Sequence, residues 1–157
     1  MKITLIVVGK TVEKYYIAAI NNYMERLKHY IAFNIEVIPE LKNTKNLREE
    51  QQKEKEGELI LKALQPTDHI VLLDEHGFEF RSVEFAKWMA NKMQTVNKRL
   101  VFIIGGPYGF APAIYQTAHE KISLSKMTFS HQMIRLIFVE QLYRAFSILN
   151  NSPYHHE

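Results

Sequence analysis

Five short apolar runs, rich in branched and aromatic side chains, punctuate the chain at Ile3 to Val8, Phe33 to Ile38, His69 to Leu73, Leu100 to Ile104 and Lys121 to Leu124. The stretches between them are long enough to hold helices. Strands that alternate with helices pair in parallel, because a crossover helix returns the chain to the same end of the sheet. The pattern therefore predicts an α/β fold, a mostly parallel sheet with helices on both faces. At 157 residues the chain reads as one domain, 1–157, with enough length to bury a core unaided.

The segments between the runs carry helical periods. Val12, Tyr16, Ile20, Tyr23, Leu27 and Tyr30 recur in steps of four and three, which is one face of a helix. Leu47 to Leu64 opens as REEQQKEKEGE and closes as LILKAL, so its first half reads as solvated and its last turns as docked, with Gly57 a weak point. Ser82 is placed to cap a helix running to Met93, with Glu84 in its first turn and Glu75-His76-Gly77 as the turn before it. His131 to Leu149 is apolar over far more than the ~100° stripe of a surface helix. It is expected to be covered on two sides, one of them by a second copy of the chain. Glu40 to Asn46 and Asn150 to Glu157 read as loose segments.

Several functional classes drop out. The chain has no cysteine, which removes disulfide scaffolds, thiolate zinc sites and cysteine nucleophiles together. No apolar stretch approaches the roughly 18 residues of a membrane span, so a soluble, cytosolic protein is expected. MKITLIVVGK reads as a first strand and not a signal peptide. His119-Glu120 lacks the second histidine of a zinc helix, and His155-His156 lacks a spaced third ligand, so no metal is expected. The dinucleotide fingerprint, the P-loop and the nucleophile elbow are all absent. A net charge of +3 permits nucleic acid as a partner without requiring it.

Two polar turns could carry chemistry. VFIIGGPYG runs from a buried strand into Gly105, Gly106 and Gly109, where a ligand could approach the backbone closely. A tight strand-to-helix turn accounts for these local features equally well. SLSKMTFSHQMIR leads into the last helix, with Ser130 at the N-cap position and free N–H groups behind it. His131 and Arg135 fall four apart on one helical face, with Arg144 further along. They are either a solvated stripe or a cluster for phosphates and bases. The tail SPYHHE is either a frayed end or a source of Tyr154 and His155 for stacking on an unpaired base.

In the same order along the whole chain, MKITLIVVGK, KEKEGELIL, VLLDEHG, FIIGGPYG, SLSKMTFSHQMIR and EQLYRAFSILNNSPYHHE resemble the ribosomal RNA pseudouridine N3-methyltransferase family RlmH. The resemblance implies a SPOUT fold with a C-terminal trefoil knot, a homodimer, and S-adenosylmethionine as cofactor. The implied substrate is a pseudouridine in large-subunit rRNA of the assembled ribosome. By matched position it implies a cofactor site at Leu73, Gly106, Ser125, Lys126, Met127, Thr128, Phe129 and Ser130. Many relatives carry proline where this chain has Ser130. On the substrate side it implies His131 and Arg135, and catalytic roles for Tyr143, Arg144, Tyr154 and His155, the tail reaching a partner's cofactor pocket. The competing readings are another RNA target on the same scaffold and a non-catalytic ribosome-binding module.

Overall fold

The computed structural model describes residues 1–156. Five strands form one parallel sheet: β1 (Lys2–Val8), β2 (Ala32–Ile38), β3 (His69–Glu79), β4 (Arg99–Ile104) and β5 (Glu120–Ser123), in the spatial order β2-β1-β4-β3-β5. The helices are α1 (Lys14–Leu27), α2 (Glu49–Ala63), α3 (Ser82–Thr95), α4 (Pro112–Thr117) and α5 (His131–Leu149). All five expected strands are present, as is α5 with the bounds its pattern gave.

Strand periodicity divides the core in two. Ile3, Leu5, Val7, Leu100 and Phe102 point to one face and pack under α1, α3 and α5, while Ile6, Leu72, Val101 and Ile103 point to the other and meet α2 and α4. The last helix therefore lies on the sheet with α1 and α3 in contact with it. Phe138, Val139, Leu142, Ala145 and Phe146 are buried within the single chain, whereas Met133, Leu136, Ile137, Ile148 and Leu149 stay half-buried, so part of the apolar surface is left for a further contact.

Local details differ from the sequence expectation for identifiable reasons. The first helix begins at Lys14, leaving Val12 outside it and 70% exposed. The second begins at Glu49, preceded by a 3₁₀ turn at Thr44–Asn46 in the stretch expected to be loose. Ser82 does not cap α3: Arg81 is the N-cap residue, its backbone N–H donates to Glu84 Oε1 at 2.8 Å, and the Ser82 hydroxyl instead donates to Gln141 on α5. The helix also runs two residues past Met93. Gly57 is a packing site and not a flaw, since a Cβ there would lie 3.3 Å from that of Ala111.

Glu75-His76-Gly77 is not a turn before α3. It lies inside β3, where the pairing with β5 slips so that Ile122 faces Leu73 and then Phe78. A Cβ on Gly77 would sit 2.6 Å from backbone atoms of Ile122, so only glycine lets the two strands close there. The slip throws Asp74, Glu75 and His76 out of the ladder, a standard use of a bulge beside a site.

At the other end of the sheet, Glu120 gathers three donors. His69 lies at 2.6 Å, Lys92 at 2.7 Å and Trp88 Nε1 at 3.0 Å. Burial would raise the pKa of Glu120, but the bonds from Lys92, His69 and Trp88 outweigh it and hold the carboxyl below its usual range. Since the folded value is depressed, the contribution is full above the unfolded carboxylate pKa and disappears as pH falls through the folded one. Glu120→Ala should cost about 1–3 kcal/mol at neutral pH, with a smaller difference from the parent in acid, as urea titrations at the two pH values would show.

Candidate functional site

The carboxyl ends of parallel strands are where α/β sheets bind ligands, and here the ends of β3, β4 and β5 open into a cleft of about 570 Å³. Three loops wall it. The displaced Asp74, Glu75 and His76 follow Leu73, the glycine turn from Gly105 to Gly109 follows β4, and Ser125, Met127, Thr128 and Phe129 follow β5. Gly106 and Gly109 form a short bridge, with Gly109 N–H donating to Gly106 O at 3.1 Å and a φ of +82° at Gly109. The two polar turns singled out in the sequence thus meet across one cavity.

Of the eight expected cofactor residues, Leu73, Gly106, Ser125, Met127, Thr128 and Phe129 line the cleft; Lys126 and Ser130 do not. Lys126 points to solvent near Glu79. Ser130 caps α5, its hydroxyl accepting from Met133 N–H at 3.1 Å, and Ser125 braces the same loop by accepting from Met127 N–H at 2.9 Å. Ser130 thus braces the loop from outside the cleft, and Ser125 braces it from within.

The mouth of the cleft carries groups that the sequence did not single out. Tyr115 donates to Asp74 at 2.5 Å, and the His76 backbone N–H donates to the same carboxylate at 2.9 Å. Burial pushes the Asp74 pKa up, but these bonds prevail and keep it below its usual range. The Tyr115 hydroxyl is driven to about 12, by burial first and by Asp74 second. An anion and a neutral phenol therefore sit side by side at the entrance. His131 lines the cleft with part of its ring open to solvent, and its partial burial, aided by the positive charge of Arg135, lowers its pKa. Its imidazole is neutral at physiological pH and able to accept a proton.

Arg135 is not part of a solvated stripe. It is 2% exposed, and its guanidinium donates to Val8 O at 2.8 Å and to Thr11 Oγ1 at 3.1 Å. It fastens the end of β1 to α5 one turn below His131. That placement corrects the expectation of an RNA-facing side chain and makes it a support for its neighbour.

Gly106 also differs from expectation in what confines it. A side chain there would not enter the cleft first; its Cβ would collide with the carboxylate of Glu56, whose Cδ lies 2.8 Å from that position. Glu56 belongs to the charged run read as solvated, yet it is 4% exposed. The signal was present in the sequence: Lys53, Glu56, Gly57 and Ile60 share one helical face, and the last three are buried.

The remaining expected residues assemble at the far end of α5. Arg144 binds Glu140 through Nη2 at 2.6 Å and Nε at 3.1 Å, lies 4.8 Å above the Tyr154 ring, and donates to His155 Nδ1 at 3.0 Å. Tyr154 donates to Glu140 at 3.0 Å and shares a 2.9 Å bond with Tyr23, while Tyr143 packs edge-on against it at 4.9 Å. Arg26 lies over both Tyr23 and Tyr143. Of the two readings of the tail, the frayed end does not hold for Tyr154 and His155, which are folded back and pinned. Burial, then the bonds with Tyr23 and Glu140, raise the Tyr154 pKa, so its hydroxyl stays neutral. Arg144 thus occupies His155 Nδ1, while Nε2 of the same ring is buried with no hydrogen-bond partner.

A family profile described as predicted SPOUT methyltransferase matches residues 1–155. Proteins named ribosomal RNA large subunit methyltransferase H align over the full length of both chains, with 80% identity in Phocaeicola vulgatus, 75% in Bacteroides fragilis and 57% in Flavobacterium johnsoniae. The chain belongs to the SPOUT methyltransferases, in the RlmH family. Within this SPOUT chain the cleft and the arginine–tyrosine cluster occupy opposite ends of α5. His131 and Arg144 are separated by 13 helical residues, or about 20 Å at ~1.5 Å per residue.

Proposed function

We propose that this SPOUT chain methylates N3 of a pseudouridine in large-subunit ribosomal RNA, on assembled ribosomes, with S-adenosylmethionine as donor and a homodimer as the working unit. The observation that carries the reading is the meeting of the glycine turn and the Ser125–Phe129 loop across one cleft at the strand ends. The relatives' shared name supports ribosomal RNA as the substrate.

The cleft fits the donor by size and by lining. Its volume lies within the range of small-molecule sites, which are mostly apolar with a few fixed polar groups. Leu73, Ile104, Phe110 and Met127 offer surface to a planar base, and the backbone of the two turns offers hydrogen bonds to its edges and to a ribose. Leu73, Gly106, Ser125, Met127, Thr128 and Phe129 would hold the cofactor, which supplies a methyl group already activated by its sulfonium. The protein's tasks are to align the acceptor nitrogen and to deal with its proton.

Pseudouridine N3 is an imide that keeps its proton at neutral pH. Arg144 would stabilise the negative charge that develops as this proton leaves, by donating to one of the carbonyl oxygens that flank N3. In doing so it releases His155 Nδ1, which then becomes an acceptor for the proton. Tyr154 stays a donor throughout and, with Tyr143, provides faces on which the base can rest. His131 lines the cleft and would meet the RNA there.

These groups cannot serve a cleft about 20 Å away on the same helix. The dimer supplies the remedy: the Arg144 cluster of one copy completes the cleft of the other. Nucleoside mass spectrometry of ribosomal RNA from a deletion strain should show one methyl missing from a pseudouridine, restored when the chain is supplied. A methyl missing from tRNA or another rRNA nucleotide would move the target. An unchanged pattern, together with no heat of S-adenosylmethionine binding in calorimetry, would favour a non-catalytic ribosome-binding role.

A further inference from the structure

One buried ionisable group beside the cleft has no part in the reaction as described. Glu56 is 4% exposed, its Oε2 accepts from Gln52 Nε2 at 3.2 Å, and its Oε1 is buried with no hydrogen-bond partner. Burial, and then the negative charge of Glu40, push its pKa up. Buried polar atoms are nearly always paired, and exceptions mark strain or a functional role. The unpaired oxygen lies directly behind Gly106, in the space a Cβ would fill. One turn earlier on the same helix face, Lys53 lines the cleft itself.

We propose that Glu56 is a positioning residue for cofactor binding: its carboxyl is the rear support of the glycine turn and sets how the Gly106 backbone faces the cleft. This inference rests on the reading of the cleft as the cofactor site. Phe110 packs beside Gly105, and Glu56 is the side chain that meets Gly106 from behind. Gly105, Gly106 and Gly109 lack side chains, and the bridge between Gly106 and Gly109 is a local bond within the turn. The carboxylate fills the space behind Gly106, so the turn cannot sink away from the cleft, and this packing fixes how its peptide faces the cavity. A ligand read mainly by backbone groups depends on that orientation. Glycine at 106 is then required from behind, by Glu56, and not from the front, by the ligand.

The test is a cycle of substitutions read by S-adenosylmethionine calorimetry, with melting temperature and the KM for unmodified ribosomes measured in parallel. Glu56→Ala should weaken cofactor binding about tenfold, because the turn gains room to sink away from the cleft, while the ribosome KM stays put. Glu56→Gln, of equal shape and still able to hydrogen-bond, should bind nearly as the parent does. Gly106→Ala should bind poorly in the parent and recover in the Glu56→Ala background, where the collision is removed. Should Glu56→Ala fail to fold, Glu56→Asp draws the carboxyl back by one methylene and serves for the same comparison.

Parent-like affinity in Glu56→Ala, or a Gly106→Ala defect of equal size with and without Glu56, would overturn the proposal. So would a fall in cofactor affinity and ribosome KM that merely tracks a lower melting temperature. If the parent protein itself gives no heat with S-adenosylmethionine, it is the assignment of the cleft that fails.

Discussion

Arg144→Ala should slow methyl transfer by about 10²–10³-fold, the usual loss when one donor to a developing negative charge is removed, and leave S-adenosylmethionine affinity nearly unchanged. The separation of effects follows from geometry. Arg144 does not line its own chain's cleft, and its contacts are Glu140, Tyr154 and His155, all at the far end of α5. Loss of the guanidinium also loosens the tail at His155, while Tyr154 keeps its bonds to Glu140 and Tyr23. Arg144→Lys should recover little, since an ammonium cannot span Glu140 with two nitrogens while reaching His155 with a third. Single-turnover rates with ribosomes lacking the modification, beside cofactor calorimetry, make the measurement. A collapse of cofactor binding in Arg144→Ala would show that the division of roles is wrong.

Mixing two inactive proteins should restore activity. Gly106→Val drives its side chain into Glu56, so the glycine turn is forced into the cleft and cofactor binding is lost. Arg144→Ala keeps the cleft but lacks the charge partner. If each cleft is completed by the other copy, a mixed dimer carries one doubly damaged site and one intact site. Random reassortment in a symmetric dimer makes half the dimers mixed, giving about a quarter of the parental rate from two proteins that are nearly silent alone. A cluster acting within its own chain predicts no recovery at all, because every site would then keep one lesion. Renaturing the two chains together, with differently tagged copies to confirm exchange, decides between the arrangements.

The proposed second copy has two supports. The apolarity of α5 is met only in part by the sheet, α1 and α3, which leave Met133, Leu136, Ile137, Ile148 and Leu149 half-buried. The distance along α5 between His131 and Arg144 is the other. Periodicity also says nothing about threading, so the knot expected from the family resemblance has no support in the strand pattern.

Much of the site was legible because its residues stand in local patterns. The glycine turn follows a strand of unbroken apolar residues, and Ser130 precedes the first turn of a helix, so both announce themselves within a few positions. Glu56, Asp74, Tyr115 and Glu140 were missed for a common reason. Each is a frequent surface residue whose role comes from a neighbour far along the chain: Gly106 for Glu56, Tyr115 for Asp74, Tyr154 for Glu140. Arg135 failed in the opposite sense, since a charge four residues from His131 looked exposed until Val8 O was found to hold it.

The amino-acid order determined the five strands, the helices between them and the two turns that face each other, because hydrophobic period and glycine and capping chemistry act over a few residues. Tertiary structure alone decided which charges were buried and which faces of the helices met. It also placed the cleft and the arginine–tyrosine cluster at opposite ends of one helix. Burial and electrostatic partnership depend on distances between segments remote in sequence, and only the packed sheet sets those distances.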